Sequence, residues 1–232
     1  MKRELLDTLV ARRSNNESVV LVRGLGTGKQ FLATKQGFEG DADDLDPALR
    51  DAARAALDKE GARSVESHGE RYLLQTLARP PRIVVIGAVH IAQALIPMAQ
   101  CAGYNIYLID PRTAFANAER FPGIEIDNRW PSAAMPDLGL DARAAVVTLS
   151  HDPKIDEPAL EAAMDSDAFY IGALGSRGNH AKRRERLMTR GYTEQQVDRI
   201  FGPIGLPLGG RAPAEIAIAT LAQIVEQRNA RM

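Results

Sequence analysis

The sequence contains a single cysteine, Cys101, among its 232 residues. One thiol excludes an internal disulfide and a cysteine-rich metal site. Its position late in an apolar helical pattern favours a packed thiol over a nucleophile. No apolar run approaches the length of about 18 residues that a transmembrane helix needs, and the first residues lack the apolar core of a secretory signal. We therefore expect a cytoplasmic protein.

An excess of charge of one sign is also missing. The formal net charge is −1, and charged residues make up 25% of the chain against 45% hydrophobic residues. This balance is typical of a globular protein and gives no reason to expect binding to nucleic acid or to an anionic membrane. The length is enough for one large domain or two small ones.

Two consecutive prolines, Pro80 and Pro81, divide the sequence, because proline interrupts a strand and stiffens the chain. We place a domain boundary here, with a small N-terminal α+β domain over residues 1–79 and a ligand-binding domain over residues 80–232. Glycine-rich residues 24–29 lack the first glycine and the Ser/Thr of a phosphate-binding loop. We interpret them as a hairpin turn.

The second domain opens with a pattern that organises the rest of it. Arg82–Ile86 is a short β-branched run that ends at Gly87, as in a buried parallel strand. Apolar residues at three- and four-residue steps predict a helix up to Gly103, and Asn105–Ile109 is a second strand pattern that ends at Asp110. Strand, helix and strand followed by an acid form the mononucleotide-binding pattern.

The glycine fingerprint of that pattern is incomplete. It requires glycine where this chain has Gly87, Val89 and Ala92. The second glycine lets the backbone approach a pyrophosphate. A β-branched Val89 therefore weakens the prediction of dinucleotide binding, while the prediction of the fold stands.

The rest of the chain alternates strand and helix patterns. Strands are predicted at 124–127, 144–149 and 168–173, and helices at 113–121, 157–166, 177–190, 194–201 and 214–228, with an irregular segment at 130–139. We therefore predict an α/β protein with a Rossmann-like doubly wound parallel sheet and a small N-terminal α+β domain.

Residues that follow the predicted strands are the candidate ligand contacts, because such sheets bind ligands at the carboxyl ends of their strands. These residues are Gly87, His90, Asp110, Arg112, His151, Asp152, Gly175, Ser176 and Arg177. His90 falls in the first turn of a helix, where the dipole favours an anion. Asp110 and Arg112 suit a ribose, a 2′-phosphate or another polar ligand, or else a salt bridge with each other.

The later strand ends offer two kinds of chemistry. His151 and Asp152 are the best acid–base candidates, but no nucleophile motif accompanies them, and we assign no catalytic residue and no metal ligand. Gly175 permits a tight turn, Ser176 suits a helix N-cap, and Arg177 can bind a phosphate or a carboxylate. We interpret most of the basic run that follows Arg177 as a solvated helix face.

Several motifs occur in order along residues 80–229. They are Ile86-Gly-Ala-x-His90, Asp110-Pro-Arg112, Ser150-His-Asp-Pro153 with Asp156, Tyr170-Ile-Gly-Ala-Leu-Gly-Ser-Arg177, Pro203-Ile-Gly-Leu206 and Pro213-x-Glu215-Ile-Ala217. Together they resemble the C-terminal Rossmann-like domain of the xanthine dehydrogenase accessory proteins, the XdhC/CoxI family. The resemblance adds Glu215 to the candidate cofactor contacts.

The resemblance implies a function. Members of this family are understood to bind the molybdenum cofactor in its molybdopterin form, assist its sulfuration and deliver it to molybdenum hydroxylases of the xanthine dehydrogenase type. The strand-end residues would then contact the pterin and its phosphate or nucleotide tail. A cysteine desulfurase is a further candidate partner, and apolar residues of the last helix suit a homodimer.

The chain departs from the family pattern in three respects. Val89 replaces a glycine of the family's Gly-Ala-Gly-His turn, and residues 1–79 lack its Cys-x-Glu segment. Ala212 and Ala219 replace hydroxyl residues that the family pattern has near the last helix. An NAD(P)-binding oxidoreductase would also fit the strand–helix–strand pattern with Asp110. A non-catalytic assembly or regulatory module would use the basic helix to bind a protein. The leading expectation is a cofactor carrier that turns over no substrate.

Overall fold

The computed structural model describes residues 2–15, 17–57 and 59–230. The chain separates into two compact units, and the division falls between Pro80 and Pro81. Each unit has its own sheet and its own hydrophobic clusters. Within the described ranges, no helix combines the length and the apolar character that crossing a membrane requires.

The first unit is built on an antiparallel sheet with the strand order β3-β2-β1-β5-β4. Its elements are α1 (Arg3–Ser14), β1 (Val19–Gly24), β2 (Gln30–Ala33), β3 (Phe38–Gly40), α2 (Pro47–Ala56), β4 (Gly61–Ser67) and β5 (Glu70–Leu77). Leu49 and Ala53 of α2 pack on one face of the sheet. The predicted α+β character is confirmed, although β3 and β4 give no sequence signal because most of their residues are exposed or half-buried.

The glycine-rich residues 24–29 form the turn of the β1–β2 hairpin, as predicted. The carboxylate of Glu70 accepts hydrogen bonds from the backbone N–H groups of Thr27 at 2.9 Å and Gly26 at 2.7 Å. These two bonds hold the pKa of Glu70 below its usual value. The Glu70 side chain therefore occupies the N–H groups that a bound phosphate would need.

The second unit contains a parallel sheet between two layers of helices. Its strands are β6 (Arg82–Ile86), β7 (Asn105–Ile109), β8 (Glu125–Asp127), β9 (Ala144–Thr148), β10 (Tyr170–Ala173) and β11 (Ile200–Phe201). Its α-helices are α3 (His90–Cys101), α4 (Pro131–Ala134), α5 (Pro153–Met164), α6 (Arg177–Thr189), α7 (Glu194–Val197) and α8 (Pro213–Asn229), and a 3-10 helix, Met135–Leu138, follows α4.

The strand order of this sheet is β11-β10-β9-β6-β7-β8, and every neighbouring pair is parallel. The register places Ile86 of β6 between Ile109 of β7 and Thr148 of β9. The chain therefore builds the sheet outward from β6 to β8 and then in the opposite direction from β9 to β11. This is the predicted doubly wound topology, and its order reverses between β6 and β9.

Alternate residues of β6 supply two separate cores. Ile83 and Val85 belong to the hydrophobic cluster that contains residues of α3 and α8. Val84 and Ile86 belong to the cluster on the other face, which contains residues of α5. A strand that is buried on both faces has no polar side, which explains the uninterrupted β-branched run in the sequence.

The predicted helix at residues 113–121 is wrong, because this segment consists of turns. The side-chain amide of Asn117 donates to the carbonyl of Ala114 at 3.2 Å, and its oxygen accepts from the backbone N–H of Arg120 at 3.1 Å. Local side-chain bonds of this kind compete with the hydrogen bonds of a helix.

Two further local predictions are wrong. The segment at 130–139 is largely helical, with Pro131 at the first helical position, where its missing N–H costs nothing. The predicted helix at 194–201 ends at Val197, and Ile200–Phe201 pairs with β10 as an edge strand.

Candidate functional site

The switch point of the parallel sheet lies between β6 and β9, where Gly87 and Ser150 follow the two strands. Gly87 has a φ of +105°, and a Cβ atom there would lie 2.8 Å from the backbone nitrogen of Ser150. Glycine is required here both by the left-handed backbone and by the close approach of the neighbouring chain. The predicted role of Gly87 as a turn residue thus has a direct steric reason.

The N-terminus of α3 opens at this edge without a side-chain cap. Val89 is the N-cap residue and makes no side-chain hydrogen bond, and the exposed His90 is the first helical residue. The first N–H groups of a helix have no partners within the helix, and the helix dipole is positive at this end. This end of α3 therefore suits an anionic ligand.

The N-termini of α5 and α6 are capped by two of the predicted site residues. Asp152 accepts a hydrogen bond from the backbone N–H of Lys154 at 2.9 Å. Ser176 accepts one from the backbone N–H of Asn179 at 3.2 Å. Both side chains therefore have a local structural role.

Gly175 and Arg177 flank the capping serine of α6. Gly175 has a φ of +143°, which allows the chain to turn into the helix. Arg177 is exposed, and its side chain forms no hydrogen bond or ion pair with any other residue that the structure describes. Its guanidinium group is thus available to a ligand.

Asp110 and Arg112 form a closed pair at the end of β7. The Asp110 carboxylate is fully buried and accepts hydrogen bonds from the backbone N–H of Ala88 at 2.7 Å and from the backbone N–H, Nε and Nη2 of Arg112 at 2.9, 2.9 and 2.7 Å. Burial opposes ionisation, but the bonds from Arg112 and Ala88 outweigh it and hold the pKa of Asp110 below its usual value. A ribose hydroxyl would have to displace one of these donors.

A first cavity of about 390 Å³ lies beside this pair. It is lined by Ala88, Val89, His90, Arg112, Ala114, Phe115 and Arg120. The ring of Phe115 is 49% exposed, and the guanidinium carbons of Arg112 and Arg120 lie 5.0 and 5.9 Å from its centroid. This cavity therefore combines an aromatic ring with two cations and the uncapped N-terminus of α3.

A second cavity, of about 210 Å³, lies between α5 and α6. It is lined by His151, Pro153, Asp156, Glu157, Leu174, Asn179, Lys182, Arg183 and Arg186. Asp156 accepts hydrogen bonds from the backbone N–H of Ser150 at 3.2 Å, its hydroxyl at 2.7 Å and the backbone N–H of His151 at 3.1 Å. These bonds hold His151 in a left-handed conformation with a φ of +63°. Strain of this kind in a residue without glycine's freedom is typical of functional sites.

Arg183 is a buried cation at this cavity. Its side chain is 6% exposed and donates to the carbonyl of Leu174 at 2.8 Å. Among the described residues, no carboxylate lies within 4.0 Å of its guanidinium group. Burial lowers the pKa of Arg183 and raises the pKa of Asp156, since both charges are desolvated without direct contact.

The prediction of a solvated face is wrong for Arg183, and sequence reasoning gave Asp156 no separate role. A signal for Arg183 exists, because it precedes the buried Leu187 by four residues and so lies on the inward face of α6. Phe115 and Arg120 were not identified as site candidates from the sequence, because their segment was wrongly predicted to be a helix. Glu215 accepts from the backbone N–H groups of Arg211 at 2.9 Å and Ala212 at 3.0 Å, and lines neither cavity.

Three of the predicted site residues line the two cavities, His90 and Arg112 at the first and His151 at the second. Comparison with known proteins identifies the family of this chain. Residues 83–224, more than half of the chain, match the model of the XdhC Rossmann domain. The chain belongs to the XdhC family. The resemblance found in the sequence is therefore confirmed.

The XdhC match extends to individual relatives. Escherichia coli YqeB is 30% identical over 149 residues, the E. coli molybdenum cofactor insertion chaperone PaoD is 28% identical over 147, and a Bacillus subtilis protein, named as a probable subunit of xanthine dehydrogenase, is 25% identical over 156. These alignments cover 64%, 63% and 67% of this chain, but 28%, 40% and 45% of the relatives. The chain thus spans less than half the length of the curated relatives it matches.

A solved structure shares the XdhC fold. A Bacillus halodurans protein, named as a xanthine dehydrogenase, superposes with a TM-score of 0.74 and 21% sequence identity. The match covers 99% of this chain and 65% of the other. The predicted Rossmann-like α/β fold is confirmed.

The single thiol of this XdhC-family chain lies at the opposite end of α3 from the switch point. Cys101 is the last residue of that helix and is exposed, so the prediction of a packed thiol is wrong. A rise of about 1.5 Å per residue puts it roughly 17 Å along the helix from His90. Within the described part of the chain, no group of three or more His, Cys, Asp or Glu side chains is placed to hold a metal ion.

Proposed function

We propose that this XdhC-family protein binds the molybdenum cofactor at the switch-point edge and delivers it to a molybdenum hydroxylase of the xanthine dehydrogenase type. The observation that carries the proposal is the pair of cavities at this edge, which combine an exposed aromatic ring with cations and an uncapped helix N-terminus. A phosphorylated pterin has the matching features, a planar ring and an anionic group. The relative PaoD, a molybdenum cofactor insertion chaperone, supports this choice of ligand.

The residues at the edge fit such a ligand in chemical type. Phe115 offers a ring face to the pterin, while His90 with the first N–H groups of α3 and Arg177 offer donors to anionic groups. The bound cofactor brings the molybdenum redox chemistry that the partner enzyme uses. The part of this chain is to bind the cofactor, shield it from water and release it.

The surroundings of His151 favour a carrier over an enzyme. The Asp152 carboxylate bonds to the backbone of Lys154, so it caps α5 rather than orienting the His151 imidazole. A carboxylate that orients a catalytic histidine bonds to its imidazole, and the Asp152 carboxylate bonds to a backbone N–H instead. The proposed set of cofactor contacts is Gly87, His90, Asp110, Arg112, His151, Asp152, Gly175, Ser176, Arg177 and Glu215.

Two associations belong to this proposal. A cysteine desulfurase would supply the sulfur for sulfuration of the bound cofactor. A homodimer would form through α8, where Ile218 and Val225 are exposed. The basic helix is a weaker docking surface, since Arg184 pairs with Asp198 and Arg190 with Glu161.

The test is retention of freshly released molybdenum cofactor by the purified chain on gel filtration, beside NAD+ and NADP+. We expect molybdenum and pterin to elute with the protein, and Arg177→Ala to weaken retention about tenfold through the loss of a charge-assisted contact. The matched control is Arg3→Ala, since Arg3 is also exposed but lies on α1 of the other unit. Failure of the wild-type protein to retain or protect any cofactor would contradict the proposal.

A nicotinamide nucleotide is the second candidate ligand, because the β6–α3–β7 topology is the one that binds such nucleotides. Against it stand the Asp110 carboxylate, whose acceptor sites are engaged, and Val89 at the cavity wall. Thermal unfolding measured with NAD+ or NADP+ decides between the two. A rise in the melting temperature with either nucleotide, and none with the molybdenum cofactor, would favour the oxidoreductase.

A further inference from the structure

Among the charged side chains that line the second cavity, those without an ion-pair partner in the described part of the chain are mainly cationic. Glu157 is neutralised within the protein, because Arg186 contacts it at 2.6 Å and Arg190 at 2.7 Å. Lys182 has no hydrogen bond or ion pair with any residue that the structure describes. Arg183 has no carboxylate in contact among those same residues. Two cations at this cavity are therefore without a counter-ion in the described part of the chain.

Asp156 does not cancel this surplus. Its carboxylate already accepts three hydrogen bonds from Ser150 and His151. Burial raises the pKa of Asp156, and even when it is fully ionised this one carboxylate balances only one of the two cations. The function of Asp156 in this geometry is to hold the Ser150–His151 turn and so to position the His151 side chain at the cavity wall.

A buried guanidinium group without a counter-ion is unfavourable, since a desolvated charge needs a hydrogen-bonded partner. Arg183 lines an open cavity in which an anion has room to supply that partner. Two further polar side chains, His151 and Asn179, line the same space from different segments of the chain. Donors that converge from several directions suit a tetrahedral phosphate, with its three terminal oxygens, better than a flat carboxylate.

We propose that the second cavity is a phosphate subsite, in which Lys182 and Arg183 bind a phosphomonoester and His151 and Asn179 complete its hydrogen bonds. The subsite rests on the proposed function in one respect, namely that the phosphomonoester is that of the molybdenum cofactor. Asp156 acts on the phosphate through His151 and is a positioning residue. In this arrangement Arg177 and the N-terminus of α3 contact other parts of the ligand.

The test is titration of the full chain with inorganic phosphate and with glycerol 3-phosphate at constant ionic strength, followed by calorimetry and ³¹P line broadening. Acetate serves as the carboxylate comparison. We expect both phosphates to bind and acetate to bind at least tenfold more weakly. Lys182→Ala should weaken phosphate binding about tenfold, and Arg183→Lys should do the same because it loses the two-pronged contact.

Two further variants test whether the loss of phosphate affinity is specific to the cations that line the cavity. Lys154→Ala removes an exposed lysine of α5 that does not line the cavity and should leave phosphate affinity unchanged. Arg177→Ala tests the neighbouring guanidinium. Lys182 is exposed, so its variant is expected to fold even if the change at buried Arg183 unfolds the protein.

Phosphate affinity that falls with Lys182→Ala, together with weaker retention of the molybdenum cofactor, supports the subsite. Phosphate binding through Lys182 without any retention of the cofactor also supports the subsite and refutes the proposed function alone. The subsite is refuted if the wild-type protein binds no phosphate. It is equally refuted if Lys182→Ala binds phosphate as the wild type does, or if affinity follows Arg177 instead.

Discussion

The two halves of the sheet edge each contain a buried aspartate and an arginine, but in opposite arrangements. On the β7 side, Asp110 and Arg112 bond directly, and the pKa of the acid lies below its usual value. On the β9 side, Asp156 and Arg183 line one cavity without contact, and the pKa of the acid is raised. The same residue types therefore stabilise the fold in one half and leave charge available to a ligand in the other.

A third pair shows what burial contributes to this contrast. Asp127, the last residue of the next strand β8, and Arg129 have the same spacing as Asp110 and Arg112 and are in contact at 2.7 Å. Both of these side chains are partly exposed. Water competes with such a pair and reduces its contribution to stability.

The largest effect is expected from Asp110→Ala. The change leaves the Ala88 N–H buried without an acceptor and removes the partner of Arg112, so the free energy of unfolding should fall by about 3 kcal/mol. Urea unfolding of the full chain measures it. Asp127→Ala is the matched control and should cost less than about 1 kcal/mol, because its pair is exposed. Equal losses in the two variants would contradict the distinction.

The pH dependence of stability should differ in sign between the two buried acids. Asp110 has its pKa below the ordinary 3.8, so its contribution is present above pH 3.8 and is lost as the pH falls through the pKa in the folded state. Asp156 has its pKa above 3.8, so its contribution is present below pH 3.8 and is lost as the pH rises through that raised pKa.

Unfolding measured from pH 6 to pH 3 tests these signs. The stability of the wild type relative to Asp110→Asn should decrease as the pH falls, by at most about 1 kcal/mol over the range. The stability of the wild type relative to Asp156→Asn should increase over the same range. Parallel pH profiles for the two differences would show that the environments of the two acids are alike.

A smaller effect is expected from His151→Gly. Glycine removes the cost of the left-handed backbone at the second cavity, offset in part by its greater freedom in the unfolded chain, so stability should rise by about 0.5–1 kcal/mol. Phosphate affinity should fall, since the imidazole is lost. His68→Gly is the control, because His68 also has a positive φ, of +50°, but lies in the β4–β5 turn. A fall in phosphate affinity with His68→Gly as well would contradict a site-specific effect.

The smallest effect is expected from Cys101→Ser. The thiol is exposed at the end of α3 far from the switch point, so the free energy of unfolding should change by less than about 0.5 kcal/mol. Retention of the molybdenum cofactor should stay at the wild-type level. Loss of cofactor retention in this variant would contradict a binding site at the switch point, because Cys101 lies at the other end of α3.

The sequence by itself determined the parallel sheet of the second unit and the place of its switch point. A strand buried on both faces must be continuously apolar, and Gly87 must be glycine where the turn is left-handed, so both are visible as residue types. The helix N-caps Asp152 and Ser176 are visible for the same reason, since capping is a contact between near neighbours. The ordered motifs were sufficient for the family.

Only the tertiary structure decided which charges meet. Asp110 and Asp127 each precede an arginine by two residues, and nothing local distinguishes the buried pair from the exposed one. Asp156 and Arg183 lie 27 positions apart in sequence and share a cavity because α5 and α6 follow neighbouring strands. Burial and long-range proximity are properties of the packed sheet, and they determine whether an aspartate and an arginine neutralise each other or leave room for a ligand.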